Sequence, residues 1–309
     1  MGHIYHNITE LVGHTPLIEL HNIETLHQTV GHVLAKLEYL NPAGSVKDRT
    51  ALNMIRAAEE SGELQPGGTI IEGTSGNTGI GLAAIGAALG YEVKICMPDN
   101  LSKERQTIMR GYGAEIHLTP GAQNMGGANE LAQKLLESID KGYIIGQGAN
   151  PNNPAAHYKT TGPEIWEDTD GQVDIFVAAT GTGGTISGVG RYLREKNPAV
   201  QIIAVEPAGS PILNGGEPGP HKIQGIGGGA TPPVTDVSLF DEVVDVTDED
   251  AYAQAREIAK REGISAGISA GAALWAALQV AKRPENQGKN IVVILPDGGD
   301  KYLSSGLYE

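Results

Sequence analysis

Lys47 stands in the stretch LNPAGSVKDRT, Leu40 to Thr50, between a Pro/Gly/Ser loop and a run with helical spacing. A lysine so placed can be a solvated surface charge, a phosphate clamp or a nucleophilic amine. The Walker reading fails, because no G-x-x-x-x-G-K-[ST] is present. Ser45 and Asp48 carry the S-x-x-[DE] spacing of a capping box, with Ser45 as N-cap. Ala51, Met54, Ile55 and Ala58 then continue a helix that Gly62 stops. Lys47 falls in its first turn, where the helix field disfavours a cation and so favours the free amine.

Three glycine-rich loops could supply the rest of a site. In EGTSGNTGIGLAA, Glu72 to Ala84, a strand ends near Ile71 and gives way to Thr74, Ser75, Gly76, Asn77 and Thr78. Hydroxyl, amide and backbone donors at the start of a helix suit a carboxylate or a phosphate. Gly79, Gly81 and Ala84 mimic a dinucleotide fingerprint, with Asp99 beyond them. They lie past the strand end, inside the apolar helix, where glycines serve close packing, so a nicotinamide site is not expected. In ATGTGGTISG, Ala179 to Gly188, a strand runs directly into Gly181, Thr182, Gly183, Gly184 and Thr185. Such a turn can wrap a phosphate, or it can be a flexible strand–helix connection. GISAGISAGAAL, Gly263 to Leu274, holds two copies of GISAG, and Ser269 reads equally as a plain N-cap.

Composition narrows the partners. Glycine accounts for 43 of 309 residues, about twice the usual share of about 7 %. The net charge is −15 with no basic block, which disfavours nucleic acid and anionic membranes. The single cysteine, Cys96, excludes an internal disulfide and sits in the apolar run VKICMP, as a structural thiol does. No apolar h-region opens the chain, and His6 stands where a myristoylation signal wants Ser or Thr. No apolar run reaches the ~18 residues of a membrane span. A soluble cytoplasmic protein is expected. None of the nine histidines has paired-ligand spacing, so no metal site is expected. His157 reads as a satisfied polar residue.

Positioning these loops requires alternating strands and helices. TIIEG, YEVKICMP, AEIHLTP, DIFVAAT, QIIAVEP and IVVILP are short apolar runs separated by helical patterns such as EDAYAQAREIAKREG. This predicts an α/β fold with two mostly parallel-sheet domains and a cleft between them. The Asn/Pro-rich stretch from Gly148 to His157 is the boundary candidate. Residues 1–149 would form the lysine-bearing domain and 150–309 the phosphate-loop domain, with the first strand free to join the latter.

Together these motifs resemble the cysteine synthase (O-acetylserine sulfhydrylase) family of pyridoxal-phosphate enzymes, of fold type II. The likeness runs from ITELVGHTPLIEL through KLEYLNPAGSVKDRTA, EGTSGNTGIGLA and NPAAHYKTTGPEIWEDT to GTGGTISGVG, IQGIGGG, GISAGAAL and KYLSS. It implies a Schiff base between Lys47 and pyridoxal phosphate, with Lys47 then taking the substrate α-proton. Gly181, Thr182, Gly183, Gly184 and Thr185 would hold the phosphate, Asn77 the 3′-oxygen and Ser269 the ring nitrogen. Thr74, Ser75, Gly76, Thr78, Gln147 and Gly225 would bind the substrate. A neutral hydroxyl on the ring nitrogen favours β-elimination to an aminoacrylate, to which sulfide adds. The implied reaction is O-acetylserine plus sulfide giving cysteine plus acetate.

The resemblance also implies a homodimer and a possible contact with the C-terminal tail of serine acetyltransferase. A catalytically silent homologue that binds this tail is the alternative of another class, but lysine, phosphate loop and serine are all present. Gly148 and Ala230 replace aromatic residues, His14 replaces an asparagine, and PDGGDKYLSS departs from the family ending. The lost aromatics imply a wider pocket, which makes a cystathionine β-synthase-type reaction with homocysteine the alternative chemistry.

Overall fold

A computed structural model describes residues 4–309. The N-terminal glycine that a myristoylation signal would need, Gly2, lies outside the described residues. The chain runs through β1 (Leu17–Glu19), α1 (His21–His27), β2 (His32–Leu37), α2 (Lys47–Ser61), β3 (Thr69–Gly73), α3 (Asn77–Leu89) and β4 (Glu92–Pro98). There follow α4 (Lys103–Gly111), β5 (Glu115–Thr119), α5 (Asn124–Ser138), β6 (Gly142–Ile144), α6 (Asn152–Lys159), α7 (Thr161–Asp168) and β7 (Ile175–Ala179). The chain closes with α8 (Gly184–Lys196), β8 (Gln201–Pro207), β9 (Glu242–Val246), α9 (Asp248–Glu262), α10 (Ile268–Ala281) and β10 (Asn290–Leu295).

Two compact units result: one runs to Gly13 and over Asn41–Asn153, the other over His14–Leu40 and Pro154–Glu309. In the first, a four-stranded sheet has the order β5-β4-β3-β6, and every pairing is parallel. Both faces are covered, as parallel sheets require. Ile70, Val93, Ile95 and Met97 share a core with Met54 and Ile55 of α2 and with Ile80 and Leu82 of α3. On the other face, Ile71 and Cys96 meet Ala128 and Ala132 of α5. The chain leaves β3 toward β4 but returns at β6 on the opposite side, so the strand order reverses at the β3/β6 boundary. Loops at the carboxyl ends of strands flanking such a switch point are the usual place for a ligand. Here they carry Thr74–Thr78 and Gly146–Gln147.

The second unit holds a six-stranded sheet of order β1-β2-β10-β7-β8-β9, with only β1 antiparallel. Alternate residues of β7 and β10 face opposite cores. Val177 and Val293 share one with Leu274 and Ala277 of α10, while Phe176 and Val292 share the other with Ile186 and Val189 of α8. The apolar helix α10 is buried along almost its whole length, as a helix hydrophobic all round must be. The strand order reverses between β7 and β10, which places Gly181–Thr185 at the second switch point. Among the described residues, no helix is long and apolar enough to cross a membrane.

Candidate active site

Lys47 is the first residue of α2 and is half-buried. The helix holds Lys47 in its first turn and stops at Gly62, whose φ of 79° is the left-handed cap that glycine adopts without strain. The capping box forms only in part. Ser45 Oγ accepts the N–H of Lys47 at 3.2 Å, but the Asp48 carboxylate accepts the N–H of Ala43 at 2.6 Å instead of returning to Ser45. Asp48 thereby ties down the loop before the lysine as well as the helix start. The backbone at the cap position belongs to Val46 rather than Ser45. Gly81 of α3 lies against this turn, where an added Cβ would stand 3.2 Å from the Lys47 carbonyl oxygen. Close packing is thus the purpose of the glycines that mimic a dinucleotide fingerprint: at Gly79 a Cβ would stand 2.6 Å from Met109 Sδ.

In the same unit the β3–α3 loop and the residues after β6 form one hydrogen-bonded group. Thr78 Oγ1 donates to Gln147 Oε1 at 2.6 Å, and Gln147 Nε2 donates to Thr74 Oγ1 at 3.4 Å. Thr74 Oγ1 also accepts the N–H of Gly76 at 3.4 Å. Ser75 and Gly76 complete the turn, and Asn77 opens α3 with no side chain capping it. A Cβ on Gly76 would meet nothing within 4 Å, so the helix entrance is open space. The β3–β6 pairing therefore brings Gln147 to Thr74 and Thr78, two predicted substrate residues about 70 positions earlier.

The backbone of Gln147 is fixed by residues that sequence reasoning did not single out. Glu72, buried on β3, accepts the N–H groups of Gly146 at 2.8 Å and Gln147 at 3.2 Å. Asn153 Nδ2 donates to the Gln147 carbonyl at 2.9 Å. Burial outweighs the two N–H donors and pushes the Glu72 carboxyl up to about 7. The Cys96 thiol on the neighbouring strand is likewise pushed up, to about 11, first by burial and then by Glu72. It is inert in that state, as the apolar context of the sequence predicts.

In the second unit β7 runs into Thr180, and the loop Gly181–Gly183 opens α8. Gly183 has a φ of 76°, and no side chain caps the helix. The loop is held without spare room. A side chain on Gly181 would collide with the Gly225 carbonyl oxygen, and one on Gly183 with Thr235. Thr235 Oγ1 donates to the Thr182 carbonyl at 3.0 Å. Thr185 Oγ1 is 3.2 Å from His157 Nε2, and His157 Nδ1 is 2.8 Å from Thr161 Oγ1. His157 is fully buried and satisfied at both ring nitrogens, as its bland reading predicts, and it steadies the phosphate-type loop. Backbone N–H groups at an uncapped helix start form an anion cradle.

Ser269 lies in the first turn of α10, whose N-cap position is taken by Gly267. The plain N-cap reading of Ser269 is thereby corrected. Ser269 is only 5 % exposed, and among the described residues its hydroxyl engages no hydrogen-bond partner. Gly225, at φ 94°, lies on an exposed turn beside Gly181. Ala230 is exposed as well.

A family model described as pyridoxal-phosphate-dependent enzyme matches residues 8–297, a span that includes every candidate site residue. A cysteine synthase of Staphylococcus aureus is 48% identical over 304 residues, 98% of this chain and 96% of its own. The crystal structure of a cysteine synthase from Entamoeba histolytica superposes with a TM-score of 0.96 at 48% identity, covering 99% of this chain and 91% of that one. An O-acetylserine-dependent cystathionine β-synthase from Helicobacter pylori gives 0.93 at 40% identity over the full length of both. The resemblance drawn from the motifs is established by these matches, and the chain belongs to the pyridoxal-phosphate-dependent enzymes.

Proposed function

We propose that this enzyme is a cysteine synthase, converting O-acetylserine and sulfide to L-cysteine and acetate. The observation that carries this is the near-full-length likeness, at 48% identity in each case, to two cysteine synthases. The residues of the chain fit the cofactor. An uncapped helix start with close-packed glycines suits a phosphate ester. The buried Ser269 hydroxyl has no competing partner and suits a ring nitrogen. Lys47 would hold the cofactor's aldehyde carbon, Gly181–Thr185 its phosphate, Asn77 its 3′-oxygen and Ser269 its ring nitrogen.

When bound, pyridoxal phosphate supplies an electron sink conjugated to the substrate α-carbon. Thr74, Ser75, Gly76, Thr78 and Gln147 bind the amino-acid carboxylate, with Gly225 beside the substrate, and so orient the α-hydrogen. Lys47 Nζ takes that proton. Acetate leaves the β-carbon with the C–O electron pair, sulfide brings the pair that forms the new C–S bond, and Lys47 returns a proton to the α-carbon. The neutral hydroxyl of Ser269 leaves the ring a weaker sink than a carboxylate partner would, which favours elimination over longer-lived charge storage. We place the enzyme in the cytoplasm as a homodimer, with serine acetyltransferase as its protein partner.

The test is direct. Protein loaded with pyridoxal phosphate is incubated with O-acetylserine and sulfide, and cysteine and acetate are quantified. Equal amounts of both support the reading, and the absence of cysteine contradicts it. Ala230, where the family usually carries phenylalanine, and the Helicobacter relative favour one second reading, in which homocysteine replaces sulfide. Running both nucleophiles side by side decides between them.

A further inference from the structure

We propose that Glu72 is a positioning residue: by accepting the N–H groups of Gly146 and Gln147, its carboxylate holds the Gln147 amide in the pose that grips the amino-acid carboxylate. The inference rests on the reading that Gln147 binds that carboxylate.

The geometry is local and complete. Glu72 is 3 % exposed, at the end of the strand that leads into Thr74. Its two oxygens take two successive backbone N–H groups across the β3–β6 boundary. The side chain they carry then bridges Thr74 and Thr78. No lysine, arginine or histidine among the described residues pairs with Glu72. A carboxylate kept in a dry site with no counter-charge is expensive. Its use here is that an ionised carboxylate offers acceptors to both N–H groups at once, whereas a protonated one gives up an oxygen to its own proton.

Proton binding therefore becomes a control on substrate affinity. Burial raises the Glu72 carboxyl to about 7. The titratable groups on the neighbouring strands are Tyr143 of β6, on the same face, and Cys96 of β4, whose side chain lies on the opposite face of the sheet. Burial raises both further, so neither changes charge between pH 6 and 8. As the pH falls through this range, Glu72 takes up a proton, one of the two N–H bonds is lost, and Gln147 is released from its fixed pose.

Two readouts test this on the loaded enzyme. The first is the apparent dissociation constant of O-acetylserine without sulfide, measured across pH 6 to 8 for wild type, Glu72→Gln and Gln147→Ala. Wild type should bind roughly tenfold more weakly at the acid end. Glu72→Gln should be weak and keep only the pH dependence that the substrate's own ammonium group imposes, which wild type should exceed, and adding it to Gln147→Ala should change nothing further. The second is the NMR shifts of the Gly146 and Gln147 amide protons, which should titrate together near neutrality in wild type and not in Glu72→Gln. A wild-type profile no steeper than that of Glu72→Gln, or amide shifts indifferent to both pH and substitution, would overturn the proposal. If no variant reacts with O-acetylserine, the proposed function fails, and the amide titration still decides for or against Glu72.

Discussion

The two ligand loops of the molecule are built on opposite principles. The loop after β7 presents backbone: Gly181 and Gly183 lie too close to Gly225 and Thr235 to carry side chains, and His157 and Thr235 brace it. The loop after β3 presents side chains: Thr74, Thr78 and Gln147 hydrogen-bond one another, and a buried carboxylate beneath them sets the backbone. In the proposed reaction the first would serve a phosphate that stays bound, with rigid backbone amides. The second would serve an amino-acid carboxylate that enters and leaves each cycle, with hydroxyls and an amide.

Lys47→Ala should have the largest effect. It removes both the covalent hold on the cofactor and the proton carrier, and should lower cysteine formation by roughly 10³-fold or more. Gly181→Ala should break the rigid loop. Its Cβ collides with the Gly225 carbonyl, so overpacking should cost about 1–3 kcal/mol, read in thermal unfolding together with weakened cofactor affinity.

Gln147→Ala should act only on the adjustable loop. The KM for O-acetylserine should rise roughly tenfold, while titration with pyridoxal phosphate gives unchanged affinity. If Gly181→Ala spared the cofactor, or Gln147→Ala weakened it, the contrast between the loops would fail.

A further effect is on stability against pH. The folded-state value of Glu72 is raised from 4.5 to about 7, so its contribution is fully present below about pH 4.5 and is lost as the pH rises through about 7. At about 1.4 kcal/mol per unit, the loss is at most about 3 kcal/mol. The melting temperature of wild type should therefore fall more steeply between pH 5 and 8 than that of Glu72→Gln, with calorimetry as the check.

Much of this was legible in the sequence, for identifiable reasons. Local signals gave a helix with Lys47 in its first turn and a stop at Gly62, though the cap fell on Val46 rather than Ser45. The apolar runs gave the parallel strands, and small polar residues after β3 and β7 gave both loops. The capping of α2 was legible only in part, because the Asp48 carboxylate accepts the Ala43 N–H instead of that of Ser45. Glu72 was invisible as a functional residue. Its partners lie 74 and 75 positions away and meet it only through the pairing of β3 with β6. The link from His157 to Thr185, 28 positions apart, depends in the same way on where α6 and α8 come to rest. Spacing arguments find what one element does; they do not find what two strands bring together.

The central claim is that Lys47 carries the cofactor. Borohydride reduction of the loaded enzyme, followed by proteolysis and peptide mass spectrometry, tests it most directly. A pyridoxyl group should appear on Lys47 and on no other lysine. A modified peptide elsewhere, or an unmodified Lys47 in protein saturated with cofactor, would contradict it.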